Sequence, residues 1–250
     1  MEGRRNAIVK FIDSQGNVSF SQLKAAFPNY SEMTLRTDLK VLDQENRIVR
    51  VHGGAKSVEQ VIGTDDLLGR RMARNMSAKE QIAEKAVHLL HPNMTFYLDS
   101  GSTTTALARV IPDDSYLICT NGLSCAAELA KLTKPTVTVP GGTLNRYSMS
   151  VCGIQAIQEM GMVNFDMMFL GVTCYSPDVG FTCGVEMEAK LKQAVLRKSE
   201  QVVVLMDSTK VGRKSTFTIC DLPDVDIIIS DGALSQGFLE ECENHDIIVY

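Results

Sequence analysis

The amino-acid sequence predicts an α/β chain in two parts, a small helical module with a β wing followed by a larger domain built on a mainly parallel sheet. Three observations point to this. Residues 1–56 carry three short amphipathic helical patterns and then an alternating run; residues 77–250 alternate short apolar runs with helical patterns; the stretch between them keeps neither period. A chain of 250 residues also exceeds one typical domain, so a medium domain plus a small module is the expectation.

In the small module, Ile8, Phe11 and Ile12 recur at three- and four-residue spacing, one apolar stripe of a first helix that Gly16-Asn17 breaks. Ser19 followed by Gln22 has the form of a capping box, and Leu23, Ala26 and Phe27 supply the inner face of a second helix ending at Pro28-Asn29-Tyr30. Ser31 caps a third helix with Leu35, Leu39 and Leu42 along one side, so that Glu32, Thr34, Arg36, Thr37 and Lys40 point elsewhere. Asn46 suits a left-handed cap, and Arg47 to His52 then alternates as a strand and stops at Gly53-Gly54, which reads as a wing. Helices two and three, tightly joined, form a helix-turn-helix pattern whose last helix fits a major groove. Periodicity alone fits a plain three-helix packing module equally well.

Residues 57–76 contain Gly63, Asp65-Asp66 and Arg70-Arg71 and read as a linker. A helix is expected from Lys79 to Leu90, followed by strands at Thr95–Leu98, Tyr116–Cys119, Thr136–Val139, Met167–Leu170, Val202–Met206 and Ile227–Ile229. In a Rossmann-like parallel sheet, ligands sit beyond the carboxyl ends of the strands. Small and polar residues fall there: Asp99, Ser100, Gly101, Ser102, Thr103 and Thr104 after the first strand, Thr120-Asn121 after the second, Gly141-Gly142 after the third, Gly171 after the fourth, and Asp207 to Lys210 after the fifth. One such turn is ordinary strand-to-helix punctuation; several in register, with amides at a helix start and one turn ending in lysine, suit a phosphorylated ligand.

The same residues resemble the DeoR family of transcriptional regulators. Val18-Ser19, Leu23, Ser31-Glu32-Met33-Thr34-Leu35-Arg36-Thr37-Asp38-Leu39 and His52-Gly53-Gly54-Ala55 follow the family's N-terminal signature in order and spacing. Asp99 to Thr104, Thr120-Asn121, Gly141-Gly142, Glu188-Ala189-Lys190-Leu191-Lys192 and Asp207 to Lys210 follow its sensor domain. Thr37 departs from the pattern, where the family usually has a second arginine, as does the Phe27 to Tyr30 turn; the operator therefore cannot be borrowed from a relative. The resemblance implies a winged helix-turn-helix over residues 1–56, contacting DNA through Ser31, Glu32, Thr34, Arg36, Thr37, Lys40, Arg50 and His52. It implies a sensor domain over residues 77–250, similar in fold to ribose-5-phosphate isomerase and responsive to a phosphorylated sugar or sugar alcohol. By position, Ser100 to Thr104 would hold phosphate, Lys210 and Lys79 would add charge, and Asp99, Asn121, Glu188 and Asp207 would bind hydroxyls. Lys192 is either a pocket cation or one of several exposed lysines on its helix.

Composition bounds the rest. Residues 1–56 hold nine Lys or Arg against six Asp or Glu, a net +3, and the remainder sixteen against twenty-four, a net −8; a basic head on an acidic body suits localised DNA contact as well as it suits chance. No run approaches the roughly 18 apolar residues of a membrane span, so no membrane partner and a cytoplasmic location are expected. Seven cysteines without a Cys-x-x-Cys pair suggest reduced, partly buried thiols, and His52, His88, His91 and His245 lack ligand spacing, so neither metal nor cofactor is expected. The readings in play are a repressor released from its operator by a sugar phosphate, acting as a homo-oligomer (dimer or tetramer); a sugar-phosphate isomerase with Asp99 and Asp207 as general bases; and an activator with the same parts.

Overall fold

A computed structural model describes residues 2–45, 47–57 and 67–250. The cap expected at Asn46 and the linker residues Gly63, Asp65 and Asp66 lie outside the described residues. The chain divides into two compact units, Met1–Ile62 and Gly63–Tyr250.

In the first unit the elements are α1 (Glu2–Gln15), β1 (Asn17–Ser19), α2 (Phe20–Ala26), α3 (Glu32–Gln44), β2 (Ile48–Val51) and β3 (Gly54–Ser57). Ser19 and Gln22 form the expected capping box on α2, the Ser19 amide donating to Gln22 Oε1 at 2.9 Å. Ile8, Ile12, Leu23, Leu35, Leu39 and Leu42 meet in one core with Val18, Ile48 and Ala55. Ala26, expected on the inner face of α2, is exposed; Phe27 packs instead, edge-on to Phe11 with ring centroids 5.8 Å apart.

The wing is more than a single strand. The chain does not stop at Gly53-Gly54 but turns at His52-Gly53 and continues as β3, which pairs antiparallel with both β2 and β1. Gly54 lies opposite Ser19, and a Cβ there would stand 2.1 Å from the Val18 carbonyl oxygen. A three-residue β1 and a glycine-led β3 are too short to show alternation, which is why sequence periodicity found only β2.

The second unit begins with α4 (Leu68–Ala73) and α5 (Met76–Ala86). Helix α4 lies within residues 57–76, the stretch expected as a linker. Leu68 is buried and its amide donates to the Tyr147 carbonyl at 2.7 Å, while the ammonium of Lys79 donates to the Arg71 and Arg74 carbonyls that end the helix. Tertiary contacts therefore stabilise a six-residue helix too short to persist alone.

From there the chain runs β4 (Thr95–Leu98), α6 (Ser102–Ala108), β5 (Leu117–Thr120), α7 (Leu123–Leu129), β6 (Thr136–Thr138), β7 (Thr143–Asn145), β8 (Ser150–Cys152), α8 (Ile154–Met160), β9 (Phe165–Gly171), β10 (Cys174–Ser176), β11 (Gly180–Cys183), α9 (Glu186–Leu196), β12 (Ser199–Leu205), β13 (Phe217–Cys220), β14 (Ile227–Ile229), α10 (Gln236–Glu243) and β15 (Ile248–Val249). Seven strands form one parallel sheet in the order β15-β14-β12-β9-β4-β5-β6. Successive residues of a strand face opposite sides, and each side is covered. Tyr97, Met168, Val202 and Val204 pack with Ala156, Leu191 and Phe238 of α8, α9 and α10; Phe96, Phe169, Val203 and Leu205 pack with Ile82, Leu107 and Leu129 of α5, α6 and α7. The result is a three-layer α/β/α domain. A β7-β8 hairpin and an antiparallel sheet β10-β11-β13 are added to it, all strands of three or four residues. Cys174 and Cys183 stand at the two outer ends of the β10-β11 hairpin. All seven cysteines are free and buried, and burial pushes Cys125 to about 11 and Cys220 to about 12.

Candidate functional site

On the first unit, Glu32, Arg36, Thr37 and Lys40 of α3 and Arg50 of β2 line one open groove. The spacing of four and three residues that turns Leu35, Leu39 and Leu42 inward leaves these positions outward. Arg36 is held in place: its guanidinium stands 4.1 Å from the Phe20 ring centroid and 3.8 Å from the Glu32 carboxylate. Ser31 and Thr34 help to start the helix, the Thr34 amide donating to Ser31 Oγ at 3.2 Å and the two hydroxyls lying 2.8 Å apart. The Thr37 hydroxyl donates to the Met33 carbonyl at 2.9 Å. His52 sits exposed on the turn of the wing, outside the residues that line the groove. Sequence reasoning missed Met33, which lines the same groove and is 80% exposed. Its signal was present, since Met33 precedes Arg36, Thr37 and Lys40 by three, four and seven residues.

Behind this face, α3 is fastened to α1 by charge. Asp38 is 1% exposed and receives the Arg4 and Arg5 guanidiniums at 2.5 and 3.1 Å. Burial alone would raise the Asp38 pKa; the two arginines outweigh it and leave the carboxyl below its usual range.

On the second unit the carboxyl ends of the strands bring together most of the expected pocket. Asp99 and Ser100 follow β4, Thr120 and Asn121 end and follow β5, Gly171 ends β9, and Asp207 follows β12. Helix α9 supplies Glu188 and Lys192, one turn apart and both buried. Lys192 Nζ lies 2.7 Å from Asp99 Oδ2 and donates to the Gly171 carbonyl at 2.6 Å, and the Gly171 amide donates to the same Asp99 oxygen at 3.0 Å. At 4% exposure Lys192 is not a surface lysine; burial would lower its pKa, and Asp99 beside it more than reverses that. Asp99 Oδ1 has no partner. Neither has Asn121 Oδ1, although Asn121 Nδ2 donates to the Val151 carbonyl at 3.2 Å.

Other expected residues serve the frame. Thr104 and Thr105 donate to the Gly101 carbonyl at 3.1 and 2.5 Å, inside the first turn of α6, while Ser102 and Thr103 occupy its start. The Thr120 hydroxyl accepts the Gly122 amide at 3.1 Å. Gly141 donates to Glu159 at 2.8 Å and packs on Gln155, both of α8, and Gly142 packs on the Cys152 carbonyl at the end of β8. Asp207 caps the turn Ser208–Lys210, accepting the Thr209 amide at 3.1 Å. Lys79 differs from the free cation expected, because its ammonium closes α4; burial first, then the nearby positive charge of Lys210, depresses it to about 8.

Three residues absent from the sequence reading converge on Glu188. Asn145, Ser148 and Ser150 donate to its Oε1 at 3.2, 2.5 and 2.7 Å, which ties the β7-β8 turn to α9. Only the fold brings them there, from about forty residues away. Among the described residues no group of three or more His, Cys, Asp or Glu is placed to hold a metal ion, and no helix is long and apolar enough to cross a membrane.

A helix-turn-helix with a β wing, joined to a three-layer domain with a polar cluster at its strand ends, defines a DNA-binding transcriptional regulator with a sensor domain. A DeoR-like helix-turn-helix domain matches residues 4–61, and a DeoR C terminal sensor domain matches residues 74–232. The chain belongs to the DeoR family of transcriptional regulators, not to a family of enzymes. It is 33% identical over 247 residues to the HTH-type transcriptional regulator GlpR of Haloferax volcanii, covering 98% of this chain and 96% of the relative. It is likewise 33% identical to a putative aga operon transcriptional repressor of Escherichia coli O157:H7 (95% and 88% covered) and 29% identical to an L-fucose operon activator of Haemophilus influenzae (99% and 99%). Among solved structures it is similar to the translation initiation factor eIF-2B of Pyrococcus horikoshii, at 14% identity and TM-score 0.48 over 91% of this chain and 86% of that one. Ribose 5-phosphate isomerase A of Methanocaldococcus jannaschii matches at 15% identity and TM-score 0.38 over 53% of each chain.

Proposed function

We propose that this regulator is a repressor of carbohydrate-metabolism genes that leaves its operator when a phosphorylated sugar or sugar alcohol occupies the sensor domain. One observation carries the reading: Asp99 Oδ1 and Asn121 Oδ1 are buried at 0% and 1% residue exposure without a hydrogen-bond partner, on the residues that follow the neighbouring strands β4 and β5. Buried acceptors left unpaired are costly, and the hydroxyls of a sugar are the donors they lack. Backbone amides at the start of α6 and the cation Lys210 suit its phosphate. The L-fucose operon named for one relative supports a carbohydrate ligand; that relative is an activator and another is a repressor, so the names of relatives carry both signs of control.

In the first unit, the groove of Glu32, Arg36, Thr37, Lys40 and Arg50 faces an operator, with α3 in the major groove and His52 on the wing toward the backbone. We infer a homo-oligomer working in the cytoplasm, because one such head binds a half-site weakly and pairing multiplies affinity. Coupling requires that the sugar phosphate bind best to a form with poor DNA geometry.

The test pairs each of a panel of sugars with its phosphate. Only the phosphorylated member of one pair should stabilise the protein, by roughly 2.7 kcal/mol at 100 times its Kd, and only that member should release a duplex selected by the wild-type protein. Equal stabilisation by a free sugar would remove phosphate from the proposal; tighter duplex binding with the ligand would make the chain an activator or co-repressed regulator.

A further inference from the structure

Met33 is the most exposed of the large hydrophobic side chains in the described residues, at 80%. A solitary apolar side chain on a surface is ordinary. This one stands in the first turn of α3, with Arg36 and Lys40 on the same helix face and Arg50 across the groove. Its neighbours are held: Arg36 lies over Phe20 and beside Glu32, and the Thr37 hydroxyl is turned back onto the Met33 carbonyl. The unbranched thioether therefore lines a groove with the cations Arg36, Lys40 and Arg50, the Glu32 carboxylate there being paired with Arg36. That pattern of an apolar tip inside a cationic rim complements a groove whose walls are phosphates and whose floor carries a methyl group. In the major groove only thymine presents one. The N-terminal turn of a recognition helix is also the part that approaches base edges.

We propose that Met33 is a specificity-determining residue that packs on the C5 methyl of a thymine in each operator half-site. This rests on the reading that α3 enters the major groove. Thr37 and Glu32 flank the contact but supply no apolar surface of comparable reach, so one side chain carries the discrimination.

The experiment uses the full chain and a duplex selected by the wild-type protein from random DNA, with each dT replaced in turn by dU, which removes only the methyl. Wild type should lose about fourfold in affinity at one thymine per half-site, the factor that a buried methyl group supplies. Met33→Ala should bind the dT and dU duplexes equally, Met33→Gln should do the same, and Met33→Leu should keep the preference. Met33 is too exposed for these changes to threaten the fold. Insensitivity of wild type to every dU, or a dU penalty that survives in Met33→Ala, overturns the proposal. So does a loss in Met33→Ala that is uniform across all duplexes. DNA binding unchanged in Met33→Ala but with loss of regulation in a reporter assay assigns Met33 to a protein partner, and overturns it too. Arg36→Ala and Lys40→Ala, measured alongside, separate two failures. If they weaken binding while Met33 is indifferent, only its role falls; if they also bind as wild type does, the placement of α3 falls with it.

Discussion

Lys192 and Asp99 are among the few charged side chains that the sensor domain buries, at 4% and 0% exposure, and their 2.7 Å contact joins α9 to the end of β4. Desolvating two charges is unfavourable, so the pair contributes less to stability than to geometry: it orients Asp99 so that one oxygen meets Lys192 and the Gly171 amide and the other stays buried without a hydrogen-bond partner. Breaking it is a different matter, because burial already raises the Asp99 pKa and Lys192→Met removes the cation that opposes it. Urea denaturation at neutral pH should report a loss of about 3–5 kcal/mol, with part recovered when Asp99→Asn is added. A loss below about 1 kcal/mol would mean that the pair is solvated or that Asp99 is already neutral. The buried thiols make a contrast at this scale, since the hydroxyls beside Cys125 and the Lys192 charge near Cys220 offset burial only in part, and both thiols stay protonated at neutral pH.

Among the elements, the wing depends on a close approach that only glycine allows. A Cβ on Gly54 would lie 2.1 Å from the Val18 carbonyl, a backbone atom that moves only if β1 moves. Gly53, at φ +81°, has nothing within 4 Å of the same added atom, so there the difficulty is conformational alone. Gly53→Ala should accordingly cost about 1–2 kcal/mol and leave the sheet intact. Gly54→Ala should cost more, about 1–3 kcal/mol of overpacking together with loss of β1 pairing, and should weaken DNA binding because Arg50 and His52 are carried on the displaced hairpin. Thermal melts with amide exchange at Val18 and Lys56 would check the order; equal costs at the two glycines would show that β1 yields easily. Helix α4 illustrates the same dependence on partners, being closed at one end by the Lys79 ammonium and held at the other by the Tyr147 carbonyl.

Among the described residues, three apolar clusters divide between the two units: one holds α1 to α3 and the wing, and two lie on opposite faces of the parallel sheet. Units with separate cores unfold as separate transitions, and a ligand stabilises the unit that holds it. Calorimetry of the full chain should therefore resolve two transitions, one raised by operator duplex and the other by the sugar phosphate, each by several degrees at saturating ligand. A single transition moved equally by both would mean that the units fold as one. The formal charge has a similar division, +3 for residues 1–56 and −8 for residues 57–250, which suits an anionic duplex held at the smaller unit.

Much of this was legible in the chain alone. The three helices, the inward Leu35, Leu39 and Leu42, and six strands of the parallel sheet follow from local periodicity, and the polar turns after those strands could be placed because a parallel sheet aligns its carboxyl ends. What depends on distance along the chain was not legible. The Asp99–Lys192 pair, the three hydroxyl and amide donors on Glu188, the closure of α4 by Lys79, and the short antiparallel strands have no local period. Each is stable only because remote segments desolvate one another and must satisfy their polar groups in doing so. The sequence by itself determined which residues face a core and which turns meet at the strand ends; the tertiary structure decided which of those polar groups hold the frame and which, Asp99 Oδ1 and Asn121 Oδ1 above all, are left without a protein partner, because that choice is made by the partners that burial brings within reach.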